Sequence, residues 1–182
     1  MTHTHTSVTI SKTKTLTHDI FWICFGVIAL IAGSEIRIPL PWTPVPITLQ
    51  TFVVVFLALH LPLRRALSAV AVYLFLGGVG VPIFSGWTSS LMRPTAGYLI
   101  GFLVATIVLG ILRDRLLKLS ALKGIALTYL INDCIICAIG MVWLHFWTGV
   151  STTQLIFAGF LPFIPGGIVK TSAAWMLAKR LN

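Results

Sequence analysis

The stretch LPFIPGGIVKTSAAW, residues 161–175, is mostly apolar, is interrupted by prolines and glycines, and still carries a lysine, Lys170. An apolar run of this kind predicts a helix in a membrane or in a buried core. Breaks in a membrane segment are tolerated where neighbouring protein or a cavity satisfies the backbone, and in transporters they point to the ligand site. The question is therefore what Lys170 binds.

The whole chain shares this apolar character. Of its 182 residues, 57% are hydrophobic and only 9% are charged. The mean hydropathy is +0.99. Because a soluble domain carries about 25% charged residues, the composition predicts an integral membrane protein with one compact domain.

Apolar segments recur along the chain, and we expect each to cross the membrane as a helix, since one span needs about 20 residues. The sequence thus predicts an all-α domain of six transmembrane helices over residues 19–182, preceded by a flexible cytoplasmic tail, residues 1–18. The six segments cover residues 19–34, 47–61, 64–82, 95–113, 121–147 and 153–180.

The formal net charge is +9, which is compatible either with nucleic-acid binding or with membrane topology signals. Ten basic residues lie at alternate ends of the apolar segments, not on one surface. With six spans, all ten fall on the side of both termini, which the positive-inside rule makes cytoplasmic. We therefore expect no nucleic-acid partner. The ten are Lys12, Lys14, Arg64, Arg65, Arg113, Arg115, Lys118, Lys123, Lys179 and Arg180.

Catalytic and metal-binding motifs are not found in the sequence. It has no GxSxG, no HExxH and no P-loop, so we expect neither an enzyme nor ATP hydrolysis by this chain. Cys134 and Cys137 spell CxxC inside an apolar run, without the further ligands that a zinc site needs. We expect no cofactor and no metal.

Glycines are spaced for close helix packing. Gly97 and Gly101 form a GxxxG pattern, and Ala29 and Gly33 have the same spacing on the first segment. Small residues four positions apart let membrane helices approach each other closely. The pattern predicts tight packing without naming the partner.

Two ionisable residues lie deep in apolar segments. Asp133 is ten residues beyond Lys123, or roughly 15 Å along a helix, and Lys170 is nine before Lys179, or roughly 13–14 Å. Charges at this depth are costly and indicate a functional site. The alternative is a structural Asp133–Lys170 salt bridge. The other acids, Asp19, Glu35 and Asp114, are expected in solvent.

The residues before Lys170 favour a ligand. We expect Pro165, Gly166 and Gly167 to break the segment, so that Lys170 lies in the first turn of a new half-helix. A helix start offers free N–H donors and the positive end of the dipole, which with an ammonium suit a carboxylate, carbonyl or urea oxygen.

Four stretches resemble one family. IRIPLPWTPVPITLQT (36–51), GVGVPIF (78–84), RPTAGYLIGF (93–102) and LPFIPGGIVK (161–170) resemble the BioY family, the biotin-specific S components of energy-coupling-factor (ECF) transporters. The resemblance implies a multi-pass protein of the cell membrane that captures biotin at its outer face for ATP-driven import.

The resemblance also implies partners, namely a transmembrane coupling subunit and a pair of cytoplasmic ATPases. Small residues on the first helix are the expected contact with the coupling subunit, and here these are Ala29 and Gly33. The alternatives are an uncoupled facilitator for biotin or a related vitamin and, less favoured, a small membrane enzyme.

For the biotin site we expect aromatic walls, hydrogen-bonding side chains and cations. Lys170 would bind either the urea oxygen or the carboxylate, and Arg93 the carboxylate, unless Arg93 extends instead to lipid headgroups. The expected walls are Trp42, Phe84, Trp87 and Tyr98, and the expected hydrogen-bonding residues are Gln50, Thr51, Ser85 and Thr95.

Position 167 departs from the family. The family pattern reads PGD before the lysine, whereas this chain has Gly167. A glycine side chain accepts no hydrogen bond. Our hypothesis is that Asp133, with Asn132, supplies the missing acceptor for the ureido N–H groups of biotin from a neighbouring helix.

Overall fold

The computed structural model describes the backbone of residues 3–182 and the side chains of residues 16–182. Most of the expected N-terminal tail, residues 1–18, lies outside the part with described side chains. That expectation remains a prediction.

The chain folds into helices with one short hairpin, so the expected all-α class is confirmed. In chain order the elements are α1 (His3–Glu35), β1 (Arg37–Ile38), β2 (Ile47–Thr48), α2 (Gln50–His60), α3 (Leu63–Gly78), α4 (Ala96–Lys118), α5 (Ala121–Thr148), α6 (Thr152–Gly159) and α7 (Phe163–Leu181). Each predicted apolar segment overlaps a helix, and α6 and α7 share the last one.

Three of the described helical segments are long and apolar enough to cross a membrane: Leu16–Glu35 within α1, then α4 and α5. The pair α6 and α7 counts as a fourth if its bend of 43° is taken as a broken span. Helix α2 is apolar but short. By length and composition the described helices thus give three to four clear spans, and the count of six remains a prediction.

Small residues allow α4 and α5 to pack closely, as the GxxxG pattern predicted. A Cβ added at Gly101 would lie 2.8 Å from the Ile136 Cα, and one added at Gly97 would overlap Trp143. On the other side of the interface, Gly140 lies against the ring of Tyr98. The α4–α5 contact therefore depends on these positions having no side chain, and it fixes the helices that carry one wall of the cavity described below.

The hairpin is attached to the end of α1. Arg37 pairs with Thr48 in the antiparallel β1–β2 ladder. The Leu49 amide donates to the carbonyls of Gly33 and Ile36, each at 3.0 Å. Gly33 is buried where a Cβ would lie 3.3 Å from the Gln50 nitrogen, so α1 and the start of α2 are in close contact at the base of the hairpin.

Two of the acids expected in solvent make specific contacts instead. Asp19 forms an ion pair with Arg65 at 2.6 Å, which joins α1 to α3. Glu35 Oε1 accepts hydrogen bonds from the amides of Gly86 at 2.9 Å and Trp87 at 3.2 Å. Both acids remain partly exposed. The sequence did not indicate these contacts because the partners are far apart along the chain: for Glu35, the loop between α3 and α4 folds back onto the end of α1.

Glu35 holds a turn that needs unusual backbone angles. Gly86 and Trp87 have φ values of 79° and 54°. Residues other than glycine rarely adopt this left-handed region. Phe84 and Thr88 close the turn with two backbone hydrogen bonds of 2.8 and 3.0 Å. The carboxylate gives both unusual residues an acceptor and so stabilises the turn.

We expect Glu35→Ala to loosen this turn. Hydrogen bonds to a charged group contribute about 1.5–3 kcal/mol when buried, and at this half-buried position we expect about 1 kcal/mol, or roughly fivefold faster amide exchange. Hydrogen exchange at Gly86 and Trp87 measures the effect. Asp114→Asn, at an exposed acid of α4, is the control. Unchanged protection of both amides in Glu35→Ala would contradict the assignment.

Candidate ligand-binding site

A cavity of about 320 Å³ lies at one end of the helical bundle, where the hairpin and the α3–α4 loop contribute to its wall. Its walls come from residues 37–51, from the loop and the start of α4, and from α5 and α7. Small-molecule pockets typically measure about 300–1,000 Å³, so this volume suits a small ligand.

Prolines stiffen the wall that the hairpin provides. Pro39, Pro44 and Pro46 line the cavity, and between them the Thr43 hydroxyl accepts a hydrogen bond from the Val45 amide at 3.3 Å. Proline restricts the unfolded chain, which lowers the entropy lost on ordering this connection. The segment is thus held in shape without a long strand ladder.

Lys170 lines the cavity, and its side chain makes one hydrogen bond to the described part of the chain. Its Nζ donates to the Thr48 carbonyl at 2.9 Å, which joins α7 to β2. An ammonium has three N–H donors. Donors beyond the one used by Thr48 therefore remain to be satisfied by a ligand or by water.

Lys170 does not lie in the first turn of a half-helix, and this expectation was wrong. Helix α7 begins at Phe163, seven residues before Lys170, with Pro162 at its N-cap. Pro165 is tolerated because its missing N–H falls in the first turn, where no intrahelical partner exists. The break comes earlier, between α6 and α7. Lys170 is therefore presented by the side of a helix, and the helix dipole is not its main partner.

The alternative of an Asp133–Lys170 lock is not what the structure shows. Among the side chains of residues 16–182, the ion pair within 4.0 Å joins Arg65 and Asp19. Asp133 is 6% exposed, lines the same cavity as Lys170, and accepts a hydrogen bond from Asn132 at 3.3 Å. The acid and the lysine thus share the cavity without neutralising each other by direct contact.

Gly167 makes room for Asp133. A Cβ at position 167 would lie 2.6 Å from Asp133 Oδ1 and 2.9 Å from Tyr129 Cε2. The carboxylate on α5 therefore lies against the backbone of α7 at the position where the family resemblance leads us to expect an aspartate. A side chain at position 167 would therefore occupy space that the Asp133 carboxylate fills.

Two hydroxyl groups in the cavity are unsatisfied. The side-chain oxygens of Thr51 and Ser85 are buried and have no hydrogen-bond partner among the described residues. Both residues line the cavity. Because buried polar atoms are nearly always hydrogen-bonded, these two hydroxyls indicate where a bound polar molecule would make contacts.

Most of the predicted site residues meet in this cavity. The predicted residues that line it are Lys170, Arg93, Asp133, Tyr98, Thr95, Gln50, Thr51, Phe84 and Ser85. The side chain of Tyr98 is fixed in position because its hydroxyl donates to the Gly159 carbonyl at 3.0 Å.

Four predicted residues lie outside the cavity lining. Trp42 and Trp87 are 63% and 64% exposed, because the loops that carry them direct the indoles outward, and Trp42 borders a second cavity near Leu144. Asn132 is fully buried next to Asp133. Gly167 lies against the Asp133 carboxylate. Asn132 and Gly167 thus both contact Asp133, which does line the cavity.

Sequence reasoning missed Arg37 and the Thr48 carbonyl. Arg37 lines the cavity and lies against Gly86, where an added Cβ would be 3.1 Å from its Cζ. A charged residue in a proline-rich loop with few other charges is a sequence feature that could have indicated Arg37 as a site residue. With Arg93 and Lys170 it gives the cavity three cations against one acid, Asp133, which favours an anionic ligand.

The fold and the cavity together define a helical membrane protein with a ligand-sized, cation-rich cavity at one end of its bundle. The model of the BioY family matches residues 3–182, and the chain belongs to that family. The family resemblance seen in the sequence motifs is thereby confirmed.

Curated relatives agree with this membership, and a solved structure shares the fold. A probable biotin transporter BioY of Pyrococcus horikoshii is 34% identical over 82% of this chain and 87% of its own length. The biotin transporter BioY of Thermotoga maritima is 33% identical over 84% and 89%. The crystal structure of an S-component for biotin from an ECF-type ABC transporter superposes with a TM-score of 0.81 at 24% identity, covering 94% of this chain and 92% of that one. The expected S-component fold is confirmed.

We expect Gly167→Ala to destabilise the protein, because the added methyl meets the Asp133 carboxylate. Overpacking of this kind costs about 1–3 kcal/mol, which corresponds to a melting temperature lower by roughly 2–12 °C for a chain of this size. Thermal unfolding in detergent measures it.

Gly166→Ala is the matched control for that substitution. A Cβ there has its nearest atoms at 3.8 and 3.9 Å, which is ordinary contact, and both variants gain the same helix propensity. Equal melting temperatures for the two alanine variants would show that position 167 is not crowded.

Proposed function

We propose that this chain is the membrane-embedded biotin-binding subunit of a vitamin uptake system, and not an enzyme. The observation that carries the proposal is the content of the cavity: an unpaired acid, three cations and two unsatisfied hydroxyls within one volume of about 320 Å³. Membership in a family whose curated relatives are named biotin transporters supports it.

The polar groups of the cavity match those of biotin. Biotin has a cyclic urea with two N–H donors and one oxygen, an apolar sulfur ring, and a valerate chain ending in a carboxylate. Asp133 offers an acceptor for a ureido N–H, and the free donors of Lys170 suit the urea oxygen. Phe84, Tyr98 and Phe163 offer apolar walls.

The carboxylate is assigned to the arginines. Asp133 lies against Gly167, and Lys170 follows one helical turn later on α7, so both face the same part of the cavity. Arg37 lies on strand β1 of the hairpin and Arg93 in the α3–α4 loop, both at that end of the bundle. A ligand with its urea towards α5 and α7 would direct its carboxylate to the loops, where arginine suits bidentate binding.

The transport cycle needs partners that this chain does not contain. With no P-loop, the chain would rely on a pair of cytoplasmic ATPases and a transmembrane coupling subunit. We propose six spans in the cell membrane, with both termini cytoplasmic and the cavity facing outward. Of the two expected coupling contacts, Gly33 is buried against α2 and Ala29 is half-buried, so Ala29 is the better placed.

Calorimetric titration of the purified chain with biotin tests the proposal, with lipoate, thiamine and riboflavin as competitors. We expect selective biotin binding. Binding no tighter than that of the other three would overturn the function. Uptake of biotin by proteoliposomes without ATP or partners would favour the uncoupled facilitator instead.

Lys170→Ala is expected to weaken biotin binding by about a hundredfold, since a charged hydrogen bond and its desolvated partner are both lost. Lys179→Ala is the matched control, because Lys179 also lies on α7 and donates to a backbone carbonyl, that of Leu119, at 2.9 Å, outside the cavity. Calorimetric titration of both variants with biotin compares their affinities. Equal affinities would contradict the role of Lys170.

Exchanging Asp133 and Gly167 tests whether one acid replaces the other. Asp133→Ala should lower biotin affinity by about 10- to 100-fold. Adding Gly167→Asp to the Asp133→Ala variant should raise the biotin affinity again by at least tenfold, because Asp133→Ala frees the space beside position 167. Gly167→Asp alone should weaken binding, since two carboxylates then crowd one another. Unchanged affinity in Asp133→Ala would end the hypothesis.

A further inference from the structure

A buried hydrogen-bond chain behind the cavity determines which end of the Gln50 side chain faces the ligand. Gln50 begins α2, is 3% exposed and lines the cavity. Its Nε2 donates to the hydroxyl of Tyr73 on α3 at 2.7 Å. Tyr73 is fully buried and is not part of the cavity lining, so it acts from behind.

The direction of this chain follows from its last acceptor. The Tyr73 hydroxyl donates to the Ile83 carbonyl at 3.3 Å. A carbonyl accepts only, and a hydroxyl has one proton. The Ser34 hydroxyl also lies 3.3 Å from the Ile83 carbonyl, but its one proton makes its shortest bond to the Ile31 carbonyl, at 2.7 Å. The Tyr73 proton is therefore the one directed to Ile83, the Tyr73 oxygen accepts, and the amide nitrogen of Gln50 donates to it.

The amide oxygen of Gln50 then lies on the cavity side. It accepts from the Thr48 hydroxyl at 3.3 Å, and Thr48 lines the cavity whereas Tyr73 does not. An amide oxygen has two lone pairs, so a position remains after Thr48 for a donor from a ligand. A flipped amide would present N–H groups there instead.

We propose that Tyr73 is a positioning residue of the binding site, which holds Gln50 so that its amide oxygen accepts a ligand N–H. The inference rests on the proposed function and extends it, because it gives the cavity a second acceptor beside Asp133. A cyclic urea has two N–H donors, and the two acceptors come from different walls, α2 and α5. Ligands without a second N–H leave Gln50 unpaired and are rejected.

Tyr73 has a second contact that separates the hydroxyl from the ring. The ring packs edge-on against Phe84, with centroids 5.3 Å apart, and Phe84 is itself a cavity wall. Tyr73→Phe keeps this contact and removes only the oxygen. The effect of the hydroxyl on binding can thus be measured with the wall in place.

The experiment is calorimetric titration of the full chain and of Tyr73→Phe, Gln50→Leu and the double variant with biotin. We expect each single variant to bind about tenfold more weakly or worse. The double variant should bind no more weakly than Gln50→Leu alone, since Tyr73 acts through Gln50. Thr106→Val removes another buried hydroxyl, which is bonded within α4 to the Phe102 carbonyl, and should bind like the unaltered protein.

A second measurement uses biotin methylated at one or the other ureido nitrogen. The unaltered protein should prefer biotin to both isomers. Gln50→Leu should lose at least tenfold of that preference against one isomer and keep it against the other. Since Gln50→Leu leaves Tyr73 in place, this comparison also decides the case if Tyr73→Phe does not fold.

The outcomes separate the two proposals. No biotin binding by the unaltered protein would overturn the proposed function and this inference with it. Biotin binding that is intact in Tyr73→Phe, that falls additively in the double variant, or that keeps its full discrimination against both isomers in Gln50→Leu would overturn this inference alone.

Discussion

The bond from the Lys170 ammonium to the Thr48 carbonyl is the interaction on which the cavity depends. It is the point at which α7, the most interrupted apolar segment, is joined to the hairpin that closes the end of the bundle. In a largely apolar protein a lysine without a partner would be too costly to retain. One backbone oxygen offsets part of this cost and leaves other donors available, so the same bond stabilises the cavity wall and keeps N–H donors for a ligand.

Around this hydrogen bond, the close approach of the helices depends on glycines more than on large side chains. Gly101 and Gly140 bring α4 and α5 together, and Gly167 lets α7 lie against the Asp133 carboxylate. The consequence is chemical as well as steric. With glycine at position 167 of α7, the room beside it is filled by the carboxylate of Asp133 on α5, which lines the same cavity as Lys170.

The sequence predicted the elements better than the directions of their side chains. Apolar runs located each helix, since hydropathy and length are the features that a membrane helix requires. Depth along the helix singled out Asp133 and Lys170, and both line the cavity. Trp42 and Trp87 were misplaced because an aromatic residue in a loop is equally compatible with a cavity wall and with an exposed surface. The break was placed at Pro165 instead of ahead of Phe163 because proline in a first turn continues a helix.

Hydrogen bonds link the cavity walls into one unit. From Lys170 they pass through Thr48 to Gln50, then through Tyr73 to the Ile83 carbonyl, so that α7, the hairpin, α2, α3 and the α3–α4 loop are connected. Glu35 on α1 then holds that loop at Gly86 and Trp87.

Each wall is thereby oriented by another wall before any ligand arrives, which lowers the entropy cost of binding. It also means that a ligand must match fixed positions of donors and acceptors, since moving one polar group would leave the next in the chain unsatisfied in an apolar surrounding. Selectivity in such a site comes from the whole chain of hydrogen bonds, and residues that never touch the ligand contribute to it.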